Sequence, residues 1–165
     1  MNVRIANDGD LPRLMQVYGE AREIMLSDGN VHQWKSGHPS AEMVQSDIDN
    51  GYCNVVEDGG IIVGAFAFIS GEDPTYLEIE EGEWVDDTLP YATIHRLGST
   101  RSSKGVAKAC FDWCWTQSHN LRIDTHKDNT IMRHCIERYG FRYCGVIHLL
   151  NGDPRYAYQK VDSGD

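Results

Sequence analysis

The sequence predicts a single domain that combines helices and strands, and three observations carry that expectation. The chain's 165 residues suit one domain with a core of its own. Two stretches, 91–111 and 121–147, each open as strand, polar loop and helix. Two further stretches, 52–69 and 141–161, read as strand, turn signal and strand. No repeat, linker or low-complexity tract divides the chain, so one domain over 1–165 is expected.

Val3–Ala6 is a short first strand. Asn7 or Asp8 is placed to cap the helix that follows, with Asp10 in its first turn, where a carboxylate suits the dipole. Leu11, Leu14, Tyr18, Ala21 and Met25 fall on one face of that helix. The loop over 27–39 holds His32, Trp34 and His38. Ser40 is the cap residue for a helix over Ala41–Asp49, and Gly51 ends it. Tyr52–Val56 and Ile61–Ile69 are joined by Glu57-Asp58-Gly59-Gly60, a hairpin signal. The second of these strands is nearly all apolar, which marks a central strand. Residues 71–90 are acidic, with Tyr76 and Trp84 interleaved. A connection this long is uncommon unless it has structure or function of its own.

Tyr91–Leu97 reads as a strand between Pro90 and Gly98, and Gly98–Lys104 has the composition of a loop. Val106, Cys110, Trp113 and Cys114 then recur at helical spacing, so a helix starts near Gly105. A glycine there lets backbone approach a ligand closely. The free N–H groups and positive dipole end favour an anion such as phosphate, and Arg101 and Lys104 add cationic charge. Neither Gly-x-x-x-x-Gly-Lys-Ser/Thr nor Gly-x-Gly-x-x-Gly is present. On this stretch alone, a solvated basic corner between strand and helix stays open as the alternative.

The second unit, 121–147, makes the pattern specific. Ile131, Met132, Cys135, Ile136 and Tyr139 form one apolar helix face, Gly140 is its C-cap, and Phe141–Leu150 is a strand. Asn151–Pro154 is a turn, Arg155–Val161 a last strand, and Asp162–Asp165 a frayed tail. The chain resembles the GNAT superfamily of acetyl-CoA-dependent N-acetyltransferases. That family's phosphate-binding signature is Gln/Arg-x-x-Gly-x-Gly/Ala, and Ser102-Ser103-Lys104-Gly105-Val106-Ala107 matches it at Gly105 and Ala107. It departs at Ser102, with Arg101 one residue early. The family's second signature, an Asn opening a helix that closes on Gly-Phe, is matched by Asn129 and Gly140-Phe141.

The resemblance implies an α+β fold with a mixed, mostly antiparallel sheet flanked by helices. It also implies acetyl transfer from acetyl-CoA to a primary amine of a small molecule or peptide. On that reading the backbone of Ser102, Ser103, Lys104, Gly105, Val106 and Ala107 cradles the coenzyme pyrophosphate. The backbone of His95, Arg96 and Leu97 runs along the pantetheine arm, the Leu97 N–H faces the acetyl carbonyl, and Asn129 hydrogen-bonds the coenzyme. Family members often carry a carboxylate base on the strand before the phosphate loop, and Tyr91–Leu97 has none. His95 is the residue there that can change charge near neutrality, and it is the expected base. The family's usual leaving-thiolate tyrosine is replaced by Ile136, with Tyr139 one turn on as the candidate acid. Trp34, Tyr76 and Trp84 are expected to wall an acceptor pocket, and the acidic segment Glu72–Asp87 to favour cationic amines at its entrance.

Other chemistry is less well supplied. Asp124 and His126 flank Thr125 and are not expected to form a dyad. Cys110 and Cys114 lie one turn apart, but no second Cys/His pair has matching spacing, so no metal is expected and both read as core thiols. Five cysteines without paired spacing suit a reduced chain, and Met1-Asn2-Val3-Arg4 lacks a signal-peptide apolar stretch, so a cytoplasmic location is expected. A net charge of -10 argues against nucleic acid and anionic membrane as partners, and no apolar run approaches the ~20 residues of a membrane span. A homodimer stays open. Two rivals remain at this level: a non-catalytic acyl-CoA-binding module, and a phosphate-binding domain unrelated to the coenzyme.

Overall fold

The computed structural model describes residues 1–35 and 37–162. The expected fraying of Ser163–Asp165 lies outside the described residues. The chain runs through β1 (Asn2–Ile5), α1 (Leu11–Ser27), α2 (Ala41–Asp49), β2 (Cys53–Asp58), β3 (Ile61–Ser70), β4 (Ala92–Ser99), α3 (Val106–Gln117), β5 (Asn120–Thr125), α4 (Thr130–Tyr139), β6 (Arg142–His148) and β7 (Pro154–Val161).

The seven strands form one sheet in the order β1-β2-β3-β4-β5-β7-β6. Every neighbouring pair is antiparallel except β4 and β5. Those two are parallel and pair only at Ala92–Ile94 with Leu121–Ile123. Past Ile94 and Ile123 they separate. β4 continues alongside β3 and β5 alongside β7, and the sheet opens a notch between them. This is the α+β arrangement expected, with a mixed and mostly antiparallel sheet.

The two faces of the sheet are covered by different helices. Leu14, Val17, Tyr18 and Ala21 of α1 and Val44 of α2 pack on Cys53, Val55 and Ala65. Val106, Cys110, Phe111 and Cys114 of α3 and Ile136 of α4 pack on Phe66, Ile94, Leu121 and Ile123 on the other face. Cys110 and Cys114 are fully buried, in keeping with core thiols. Ser40 caps α2 as expected, its Oγ accepting the Met43 N–H at 3.2 Å. Ahead of α1 the structure differs from the reading: Asp8–Asp10 form a 3-10 turn in which Asp10 Oδ2 accepts the Asn7 N–H at 2.9 Å, and α1 begins at Leu11 with Asp10, not Asn7 or Asp8, at its N-cap.

Most strand ends differ from the sequence reading by one or two residues, the usual scatter of such boundaries. One difference matters. Gly98 and Ser99, read as loop, belong to β4. Gly98 can lie flat under α1 because it lacks a side chain. A Cβ there would stand 3.1 Å from Ala21 Cβ, 3.2 Å from Tyr18 Cδ1 and 3.3 Å from Trp34.

The acidic segment before β4 has structure of its own. A one-turn 3-10 helix at Pro74–Tyr76 buries Tyr76, and Glu80 bridges Val146 at the sheet edge. Tyr76 and Trp84 pack with Cys144, Ile147 and Ala157 in a third small core. Arg122, fully buried, lies between the rings of Trp84 and Tyr91, 3.9 Å and 3.8 Å from their centroids, and donates to Asp87 Oδ1 at 3.1 Å. The segment is therefore a strap tied to the sheet.

Candidate active site

Two clefts border the notch between β4 and β5. The first is mostly apolar and is walled by Ala21, Ile24 and Met25 of α1, Leu97–Ser99 of β4, Val106 and Ala107 of α3, and Asp128–Met132 at the start of α4. The second is more polar, and His95, Asp73, Asp124, Arg155, His38 and Trp34 are among its walls.

A bulge in β4 shapes one side of the notch. Ala67 of β3 faces His95 and Ala65 faces Gly98, so Arg96 and Leu97 together oppose one residue. Arg96 takes a positive φ of 51°, and its carbonyl accepts the Tyr18 hydroxyl at 2.8 Å. Its guanidinium is held by both oxygens of Asp47, at 2.7 Å and 2.8 Å. Arg96 thus fixes the bulge with its side chain, while Leu97 turns into the apolar cleft.

The polar loop follows directly. Gly105 takes φ 87° at the N-cap of α3, with no heavy atom within 4 Å of where a Cβ would stand. Its outer side is therefore open. Ser102 Oγ lies 2.7 Å from Thr100 Oγ1, and Ser103 Oγ donates to Asp58 Oδ2 at 3.1 Å. The Arg101 N–H donates to Glu20 Oε1 at 2.8 Å, so a backbone donor of this loop already carries an anionic oxygen. Lys104 is exposed beside them.

Asn129 caps α4, with Oδ1 accepting the Met132 N–H at 3.1 Å. Its Nδ2 donates to Gln33 Oε1 at 3.0 Å. The same oxygen accepts from Asn30 Nδ2 at 2.9 Å and Thr125 Oγ1 at 3.3 Å. Gln33 therefore spans the notch between α4, β5 and the loop after α1. Asn30 is 2% exposed and lines the apolar cleft, and its Oδ1 has no partner among the described residues. A buried acceptor left unpaired is costly, so its place on a cleft wall points to a donor from a ligand.

The carboxylate missing from β4 comes from elsewhere. Asp73, at the start of the strap, places Oδ2 2.9 Å from His95 Nε2. Burial pushes its carboxyl up, but the hydrogen bonds from His95 and from the Thr75 hydroxyl and N–H outweigh it and hold Asp73 at about 2. Asp124 accepts the hydroxyl of buried Tyr76 at 2.6 Å. Burial, and then that carboxylate, hold the Tyr76 phenol well above its usual value, so it stays a neutral donor. Burial also pushes the His38 imidazole down, helped by the charges of Arg96, Arg155 and Arg22.

The depressed value at Asp73 has a consequence for acid stability. Its folded value lies below the ordinary carboxylate value of 3.8, so its contribution is complete above about pH 4 and is lost as pH falls toward 2. On the order of 2 kcal/mol is at stake. Acid titration of unfolding should therefore be flatter between pH 4 and 2 in Asp73→Asn than in the wild type. Superimposable pH profiles would contradict the pairing.

The structure brings His95 and Arg96 to the polar cleft, and Leu97, Val106, Ala107 and Asn129 to the apolar one, while Lys104 and Gly105 line a separate open groove with Lys108 and Trp113, and Ser102 and Ser103 line neither cleft. Tyr139 is not among them. Its hydroxyl donates to Asp112 Oδ1 at 2.6 Å, and its ring packs on Phe111 and Phe141. Trp34 does line the polar cleft, but Tyr76 reaches it only through Asp124, and Trp84 lies beneath the strap against Arg122. Of the acidic side chains at 72–87, only Asp73 lines that cleft, because the rest of the strap is drawn onto the edge of the sheet. Asp124 and His126 do not pair. β5 ends at Thr125, and His126 turns away to accept the Asp128 N–H at 3.0 Å. Asp73 was expected only as one member of the acidic segment and Asp124 only as a rejected partner of His126, while Gln33, Asn30 and Arg155 were not singled out from the sequence, and nothing in its local pattern marks those three. Among the described residues, no group of three or more His, Cys, Asp or Glu is arranged to hold a metal ion. No helix among them is long and apolar enough to cross a membrane.

Comparison of the sequence with models of known families, and with curated proteins, finds no match. Comparison of the fold does. An acetyltransferase of the GNAT family from Streptococcus agalactiae is 30% identical, with 98% of this chain and 95% of that one covered and a TM-score of 0.91. A GNAT-family acetyltransferase from Listeria monocytogenes shares the fold at 20% identity, with 96% and 93% covered and a TM-score of 0.69. So does a ribosomal-protein-alanine N-acetyltransferase from Brucella melitensis, at 15% identity, 98% and 100% covered, and a TM-score of 0.63. With its parted parallel strands, its bulge and its glycine-capped helix, and with a full-length relative at this identity, the chain belongs to the GNAT family of acetyltransferases.

Proposed function

We propose that the protein transfers an acetyl group from acetyl-CoA to a primary amine of a small molecule or peptide. The observation that carries this reading is the His95–Asp73 pair at 2.9 Å on the wall of the polar cleft. A module that only holds acyl-CoA has no use for such a pair.

The residues of the apolar cleft fit the coenzyme. The open outer side of Gly105 and the free N–H groups at the start of α3 suit a pyrophosphate, as the Glu20 oxygen on the Arg101 N–H illustrates. Ser102, Ser103, Lys104, Val106 and Ala107 complete that cradle. The unpartnered Asn30 Oδ1 suits an amide N–H of the pantetheine arm. Asn129, already engaged with Gln33, holds the wall of the cleft and offers its amide edge to the same arm. The coenzyme, when bound, supplies an activated thioester. The bulge takes Leu97 out of register with β3, which suits its N–H to the acetyl oxygen. Such a donor is worth about 3 kcal/mol in other acyl transfers.

The amine must be neutral to attack. With Nε2–H donated to Asp73, His95 keeps Nδ1 to take the proton that the attacking nitrogen loses. Asp73 fixes that tautomer and stabilises the imidazolium. The protein thus handles one proton with a paired base. For the other it needs no dedicated acid, since a thiol of pKa ~8.5 leaves readily with water. Tyr139→Phe should accordingly keep most activity and lose about 1 kcal/mol or less of stability with its bond to Asp112. A loss of ~100-fold would instead put Tyr139 in the proton path.

The test of the reading is turnover of acetyl-CoA with a panel of amines, read as free thiol. Amine-dependent thiol release with a matching N-acetyl product is expected. Tight coenzyme binding without release for any amine would leave the non-catalytic module as the function.

A further inference from the structure

The buried arginines of this chain are Arg122 and Arg155, and they are treated very differently. Arg122 has a carboxylate, Asp87, and two aromatic faces. Arg155, 5% exposed at the start of β7, donates only to main-chain carbonyls, Pro154 O at 2.8 Å and Gln33 O at 3.1 Å. Among the described residues, no carboxylate lies within ion-pair distance of its fork. The nearest acids act through space. Asp124 binds Tyr76, and Asp153 faces Lys35 at 3.5 Å. Burial therefore pushes the Arg155 guanidinium down against their pull. It nevertheless keeps its charge, because arginine does not deprotonate in proteins. A buried cation without a bonded counter-charge is costly unless something supplies one.

Arg155 faces the polar cleft, where the acetyl acceptor must enter. The cleft has two poles. Asp73 offers negative charge beside His95, and Arg155, with Lys35 at the mouth, offers positive charge that Asp124 and Asp153 offset only through space. We propose that the acceptor is an amino carboxylate: its amine sits at the Asp73–His95 pole and its carboxylate is held by the fork of Arg155. The planar guanidinium matches a carboxylate bidentately, and binding would supply the counter-charge that the fold withholds. The inference rests on the acetyl-transfer reading and adds the class of acceptor to it.

Matched pairs of acceptors test it: α- and β-amino acids against their primary amides, and aminoalkyl sulfonates and phosphonates of the same length. The readout is acetyl-CoA turnover as free thiol. In the wild type, at least one free acid should exceed its amide in kcat/KM by about 100-fold or more, the scale of losing one partner of a buried charge pair. Arg155→Gln should collapse the acid-to-amide ratio of kcat/KM toward one, and Arg155→Lys should restore part of the gap. Acids and amides used equally by the wild type would overturn the inference while leaving acetyl transfer intact, and that comparison needs no variant to fold. A sulfonate or phosphonate preferred over every carboxylate would overturn the carboxylate assignment. An equal loss for acid and amide in a folded Arg155→Gln would reduce Arg155 to a structural residue and overturn the inference. Absence of turnover with every amine would remove the acetyl-transfer reading and this inference with it.

Discussion

Gly105→Glu is expected to abolish coenzyme A binding in a chain that still folds. Two effects combine at this position. Gly105 has φ 87°, a conformation that strains a residue with a side chain by roughly 1 kcal/mol or more. A glutamate also projects a negative charge where the loop is arranged to receive an anion. The strain alone is separable, because Asn tolerates this conformation well and carries no charge. Gly105→Asn should therefore retain binding within about one order of magnitude, while Gly105→Glu loses it beyond detection. There is space for both side chains, since no heavy atom lies within 4 Å of the Cβ position. Calorimetric titration with coenzyme A, beside circular dichroism to establish folding, decides the matter. Unchanged affinity in a folded Gly105→Glu would place the pyrophosphate elsewhere.

The second large effect is expected at the proton pair. His95→Gln should lower kcat by about 100-fold or more, the contribution of a positioned base, and leave coenzyme affinity unchanged. Asp73→Asn should produce a loss of similar kind, because its carboxylate orients the ring and supports its charged form across 2.9 Å. The two losses should not add, since each removes the same function, and the double variant should resemble the worse single one. A pH–rate profile supplies the independent check. The rising limb of the wild type should flatten in His95→Gln. If that limb survives unchanged, His95 is not the base, and Asp124 or neutral His38 becomes the group to examine on the same cleft.

Several features of the fold were legible because local physics writes them locally. Ser40 and Asn129 are cap residues, and both cap. The spacing of Val106, Cys110 and Cys114 marked the buried face of α3, and all three are buried. Gly59-Gly60 marked the β2–β3 turn, and both take positive φ. The boundary between strand and loop at Gly98 was misread because glycine signals a turn in sequence, whereas here it permits close packing beneath α1. That reason exists only once Ala21, Tyr18 and Trp34 are in place.

The sequence by itself determined the order of helices and strands, the family, and the loop that opens α3, because each rests on periodicity, capping or a short contiguous motif. The polar cleft was decided by tertiary structure alone. Asp73 and His95 are 22 residues apart, and Arg155 and Gln33 are 122 apart. Neither separation follows a helical or strand period. What brings Asp73 to His95 is the strap, anchored by Trp84 against Arg122 of β5 and against the β6–β7 pair. What brings Arg155 to Gln33 is the pairing of β7 with β5 beside the notch. Charge placement across such distances depends on which surfaces pack together, and a linear pattern of residue types carries no record of that.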